Sequence, residues 1–114
     1  MKKITFEEFR QVVAYDLNGK ANPCMEIWFR IDGCIEYQDS WLGKMADHDT
    51  KKDVFWFGLT PDGSQAYEYD IFEDFANAKV FYGSKSLKEI WNSISILSLG
   101  GGTVDEMLPY YLGL

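Results

Sequence analysis

The stretch from Val54 to Asp70 constrains the fold more than any other part of the chain, because it spells out a β-hairpin with its turn. Phe55-Trp56-Phe57 leads into Thr60-Pro61-Asp62-Gly63-Ser64, and Tyr67-Glu68-Tyr69 returns. Pro61 presets its backbone angle, Asp62 favours an Asx-turn, and Gly63 is free to take positive φ. A bulged loop then sets Phe57 opposite Tyr67 and Phe55 opposite Tyr69 on one face. Each aromatic pair is worth about 0.5–1 kcal/mol beyond its area burial. The other face carries Trp56 opposite Glu68, Gly58 opposite Ala66 and Val54 opposite Asp70.

An earlier stretch repeats the design. Met25, Ile27, Phe29 and Ile31 alternate with Glu26, Trp28 and Arg30, the period of a half-buried strand. Asp32-Gly33 marks a turn, and a loop through Ile31, Asp32 and Gly33 puts the glycine at the left-handed bulge position. This register predicts Arg30 facing Cys34, with the pairs Phe29–Ile35 and Ile27–Tyr37 on the apolar face and Trp28 opposite Glu36. A two-residue turn would set Phe29 against Glu36 and mix the faces. Both hairpins are thus expected to place a tryptophan across from a glutamate on the less apolar face. The charged run from Leu42 to Asp53 reads as a loop between them.

Helices are expected at the two ends. Thr5 and Glu8 have capping-box spacing, and Ile4 with Phe9 occupies the staple positions. Phe6, Phe9, Val13 and Leu17 form one apolar face, and Asn18-Gly19 supplies a stop. Ile71 to Ala78 fits a short helix, and Val80-Phe81-Tyr82 a short strand or packed loop. Ser86 and Glu89 form a second capping box, followed by Leu87, Ile90, Trp91, Ile94 and Leu97 on one face, which predicts a helix of about eleven residues. After Gly100-Gly101-Gly102, Thr103 and Glu106 repeat the cap spacing, and Pro109 is expected to cut that helix to about one and a half turns. The apolar tail Tyr110-Tyr111-Leu112-Gly113-Leu114 is expected to pack back on the domain or onto a second subunit.

Charge bounds the partners. Eighteen acids against eleven bases give a net charge of −7. That opposes the phosphates of nucleic acids and anionic membranes, which need clustered Lys and Arg, and it suits a basic protein. No run approaches the ~20 apolar residues of a membrane span. The acids Glu7 and Glu8 follow Lys2-Lys3 where a secretory leader would be apolar, so a cytoplasmic setting with reduced thiols is expected.

Candidate chemical sites are weak. The expected register separates Cys24 from Cys34 by roughly 20 Å, beyond the about 7 Å a disulfide spans, so both should be free thiols. Arg30 is the one activating group expected near Cys34. Asp47-His48-Asp49 holds the only histidine, and no second cluster converges on it to complete a metal site or a triad. Gly100-Gly101-Gly102-Thr103 could form an amide nest, but Asp105 and Glu106 in the next turn would repel a phosphate. No catalytic residue, metal ligand or cofactor motif is assigned.

Residues 1–114 are therefore expected to form one α+β domain, a four-stranded antiparallel sheet of two hairpins packed against an N-terminal helix and C-terminal helices. The expected function is non-enzymatic protein binding through an acidic aromatic surface of Trp28, Trp56, Glu36, Glu68 and Asp70, in the manner of small inhibitor or immunity-type proteins. A small-molecule binding domain, or a modest enzyme with an aromatic pocket between sheet and helices, is the alternative. A homodimer through the C-terminal tail is compatible with either.

Overall fold

The computed structural model describes residues 3–14, 25–46, 49–50 and 52–112. Leu17, the Asn18-Gly19 stop, Cys24, Asp47, His48 and the last two residues of the tail lie outside them. Among the described residues, three helices pack on one side of an antiparallel sheet, giving an α+β fold with five strands rather than the four expected. The elements are α1 (Phe6–Ala14), β1 (Met25–Ile31), β2 (Ser40–Ala46), β3 (Asp53–Gly58), β4 (Ala66–Tyr69), α2 (Phe72–Asn77), β5 (Ile94–Leu99) and α3 (Val104–Leu112). Strand order across the sheet is β4-β3-β2-β1-β5, a four-strand meander closed by a late strand added beside the first. Among the described residues no helix is long and apolar enough to cross a membrane.

The second hairpin forms in the expected register. Phe55 pairs with Tyr69, Trp56 with Glu68, Phe57 with Tyr67 and Gly58 with Ala66. Its turn is held by Asp62, whose Oδ1 accepts from the Ser64 amide at 3.0 Å and from the Thr60 and Ser64 hydroxyls at 2.7 Å each. Those three bonds, the amide first, lower the Asp62 carboxyl to about 2. Paired strands end at Tyr69, so Asp70 lies one residue beyond β4.

The first hairpin is built differently. Asp32-Gly33 does turn the chain, with Gly33 at φ 77°, but Ile35–Tyr37 coils into a 3₁₀ turn instead of returning as a strand. The return strand is β2, drawn largely from the stretch whose charge predicts a loop. Trp28 therefore faces Trp41 rather than Glu36, Ile27 faces Leu42, and Phe29 faces Ser40. Cys34 does not face Arg30, which pairs with Ser95 of β5 and meets Asp32 at 3.4 Å. Two forces favour this arrangement. Gln38 caps the turn by donating to the Ile31 and Cys34 carbonyls. The seven residues of β2 also make ladders on both sides, five pairing with β1 and six with β3, against three available from Ile35 to Tyr37.

The Ser86–Glu89 capping box forms, with Glu89 N–H donating to Ser86 Oγ at 3.2 Å and Ser86 N–H to Glu89 Oε1 at 3.0 Å. The expected helix does not form after it. A turn and a 3₁₀ segment, Trp91–Ser93, lead straight into β5. The sequence Ser93-Ile94-Ser95-Ile96 is β-branched or serine throughout, a poor helix interior, and β1 offers an unpaired edge beside it. Pairing there puts Ile94 opposite Ile31 and Ile96 opposite Phe29, with a bulge at Leu97. At the C-terminus, α3 runs on through Pro109 to Leu112 instead of stopping. Tyr111 and Leu112 pack against the core.

The core lies between the sheet and the helices and is mostly aromatic. Phe57 stacks on Phe75 at 4.2 Å between centroids, Phe55 meets Phe72 at 5.6 Å, and Phe9 meets Trp91 at 4.7 Å. Ile27, Phe29, Ile31 and Leu42 are fully buried on the same face. Trp91 Nε1 donates to the Ile4 carbonyl at 2.9 Å, which satisfies the indole and ties the N-terminal segment to the start of β5. Thr5 and Glu8 make their reciprocal cap at 3.0 and 3.1 Å as expected.

Candidate functional site

Alternation along each strand sends every second residue away from this core, and those residues form a second face. The ring contacts place α1 and α2 on the side of Phe55 and Phe57. Val104 and Leu108 join α3 to the same core. The opposite face is read directly from the registers. One row runs Ser98, Trp28, Trp41, Gly58, Ala66 across β5, β1, β2, β3 and β4. The next runs Glu26, Gly43, Trp56, Glu68 across β1, β2, β3 and β4, and Met45 sits beside Val54 in a third.

Three indoles dominate this surface. Trp28 and Trp41 stack at 6.0 Å with their planes 16° apart. Trp28 is fixed further by its Nε1–H, which donates to Asp39 Oδ1 at 2.8 Å. Trp41 remains 36% exposed, a large apolar side chain left open to solvent. Trp56 lies against Gly43, so closely that a Cβ there would come within 2.8 Å of the indole. Glycine at this position is thus what lets the ring settle onto the sheet. Glu26, Asp39 and Glu68 stand exposed around the rings.

Of the five residues expected to form the site, Trp28, Trp56 and Glu68 come together on this face. Glu36 does not join them. It sits in the 3₁₀ turn and accepts from Gln65 Nε2 at 2.9 Å, while the neighbouring Tyr37 donates its hydroxyl to Gln65 Oε1. The acid at Trp28 is Asp39, because the true return strand starts after it. Asp70 is exposed at the end of β4, flanking the face.

Sequence reasoning missed Trp41, Gly43, Met45 and Asp39. The signal was present, since Trp41, Gly43 and Met45 alternate with Ser40, Leu42 and Lys44. It was masked by composition, with glycine on one face and a lysine on the core face, where Lys44 is only 6% exposed. A lysine stem can line an apolar wall and send its ammonium outward, so it does not break a strand as its charge suggests.

Elsewhere, Cys34 is a half-buried free thiol beside Tyr37 and Tyr82. Burial raises both phenols above their ordinary value, and the Glu36 charge adds to the shift of Tyr37. A cleft of about 270 Å³ opens at β5 between Ile4, Trp91, Ile96 and Val104, with Lys3, Arg30 and Asp32 also lining it. No family model, no curated protein and no solved structure matches this chain.

Proposed function

We propose that this chain is a non-enzymatic, cytosolic protein-binding module that docks a basic partner on its tryptophan face. The observation that carries the reading is the Trp28–Trp41 stack on the side of the sheet opposite the helices. Tryptophan is a common interface anchor, since a rigid ring contributes much area for little lost side-chain freedom. Here the rings are already placed, Trp28 by Asp39, Trp41 by its stack on Trp28 and Trp56 by its seat against Gly43, so ordering them on binding costs little. The exposed acids Glu26, Asp39 and Glu68 and the net charge of −7 favour a cationic partner and speed its approach. Carboxylates around an apolar centre also match the polar rim of an ordinary interface.

The test is calorimetric titration against a panel of basic proteins at low and high salt. Binding to at least one is expected, weakening about tenfold or more in Trp41→Ala and again at high salt. Affinity indifferent to both Trp41→Ala and salt would sink the reading.

A further inference from the structure

The two edges of the sheet are not equivalent, and the difference points to how a partner engages. At β5 outward backbone groups are engaged at both ends of the strand. Ile94 N–H donates to the Trp91 carbonyl, Leu99 N–H donates to the Gly102 carbonyl at 2.8 Å, and the bulge at Leu97 breaks the ladder between them. Such devices close an edge to further pairing. At β4 nothing comparable is present among the described residues. Leu59 N–H donates to the Gln65 carbonyl at 2.9 Å, so Gln65 points its backbone at β3. Alternation then aims Tyr67 and Tyr69 inward as well and turns the N–H and C=O of Ala66 and Glu68 outward. Among the described residues none takes up these outward groups.

Charge says what can pair there. From Val54 to Ala78 the sequence carries five acids, Asp62, Glu68, Asp70, Glu73 and Asp74, and no base. Of these, Glu73 is neutralised by Arg10 at 2.9 Å, and Asp62 is held ionised in the turn beside β4. A second copy of the chain added at this edge would bring Glu68 and Asp70 of both copies onto one seam with no cation between them, which is destabilising. An extended segment bearing Lys or Arg opposite Glu68 meets the opposite situation.

We infer that β4 is a strand-addition edge, where an extended basic segment of the partner pairs with Ala66 and Glu68 as a sixth strand. This rests on the proposed docking function and specifies its mode. Main-chain bonds to Ala66 and Glu68 supply the alignment. Every second side chain of the added strand then extends the tryptophan face, and a cation opposite Glu68 sets the register.

The experiment uses the full chain and an alternating Arg-Thr decapeptide as probe, read by amide hydrogen exchange. Saturating peptide is expected to slow exchange at Ala66 and Glu68 by about tenfold or more. Ala66→Pro removes an outward donor that β3 does not use, so it should cut peptide affinity about tenfold or more with an unchanged far-UV spectrum. Unaltered exchange at both amides in the saturated wild-type complex overturns the inference even if Ala66→Pro fails to fold. If Trp41→Ala still weakens that binding, strand addition alone is lost and the docking face stands. Binding indifferent to Trp41→Ala and Ala66→Pro alike overturns both.

Discussion

Gly43 and Trp56 are register partners on neighbouring strands, and the ring occupies the space a side chain at Gly43 would need. An added Cβ would also press on the Met25 carbonyl, a backbone atom that cannot move aside without disturbing β1. Gly43→Ala is therefore expected to destabilise the protein by about 2 kcal/mol or more, at the upper end of overpacking costs. Urea unfolding measures the loss, and a red-shifted tryptophan emission would report the displaced Trp56. Residue chemistry of this kind was only half legible. Trp28, Trp56 and Glu68 stood out because a large ring at an alternate position of a strand has few uses. Trp41 did not, since its neighbours Gly43 and Lys44 conceal the strand that presents it.

At the scale of elements, local signals marked starts better than continuations. Two capping boxes form in full, at Thr5–Glu8 and Ser86–Glu89, and at the third Thr103 Oγ1 accepts from the Glu106 amide while donating to its carboxylate, yet the chain continues differently after each. The first caps a helix, the second caps a single turn that gives way to β5, and the third caps a helix that overruns a proline. A cap satisfies a few amides within one turn; it does not decide whether the next residues find better partners elsewhere. Pro109 leaves the Asp105 carbonyl without its intrahelical donor, and the ring is exposed. Pro109→Ala restores that bond at a solvent-facing position, so it should stabilise the fold by about 1–2 kcal/mol, seen as a higher melting temperature. A lower one would mean that Pro109 instead fixes how the tail returns to the core. The Asp32-Gly33 turn teaches the same point: its chemistry is local and legible, but the strand it serves begins at Ser40, beyond the reach of turn rules.

Across the whole molecule the sheet divides labour between its faces. One face is sealed by rings, with Phe57 about 1% exposed and stacked on Phe75. The other presents Trp28, Trp41 and Trp56 to solvent in part. Phe57→Ala should thus cost about 3–5 kcal/mol, since it opens a cavity in the aromatic core. Trp41→Ala should cost less, about 1–3 kcal/mol, from the lost ring stack and the part of the ring the sheet shields from water. Chemical denaturation of both variants distinguishes the faces, and equal losses would show that the tryptophan face is structural.

By itself the sequence determined the α+β class, the Phe55–Tyr69 hairpin with its register, the start of α1 and the short α2, because each rests on contacts within about a dozen residues. Only the tertiary structure decided that Ser40–Ala46 is the partner of β1, that Ile94–Leu99 is a strand, and that Trp41 completes the exposed face. Those outcomes depend on pairings whose energy comes from far along the chain, as Ile31 with Ile94 or Phe29 with Ile96. No local propensity of about 1 kcal/mol per residue competes with a full strand edge and its buried side chains. The same long-range choice leaves β4 at the border of the sheet, with its acids and its outward amides facing whatever approaches.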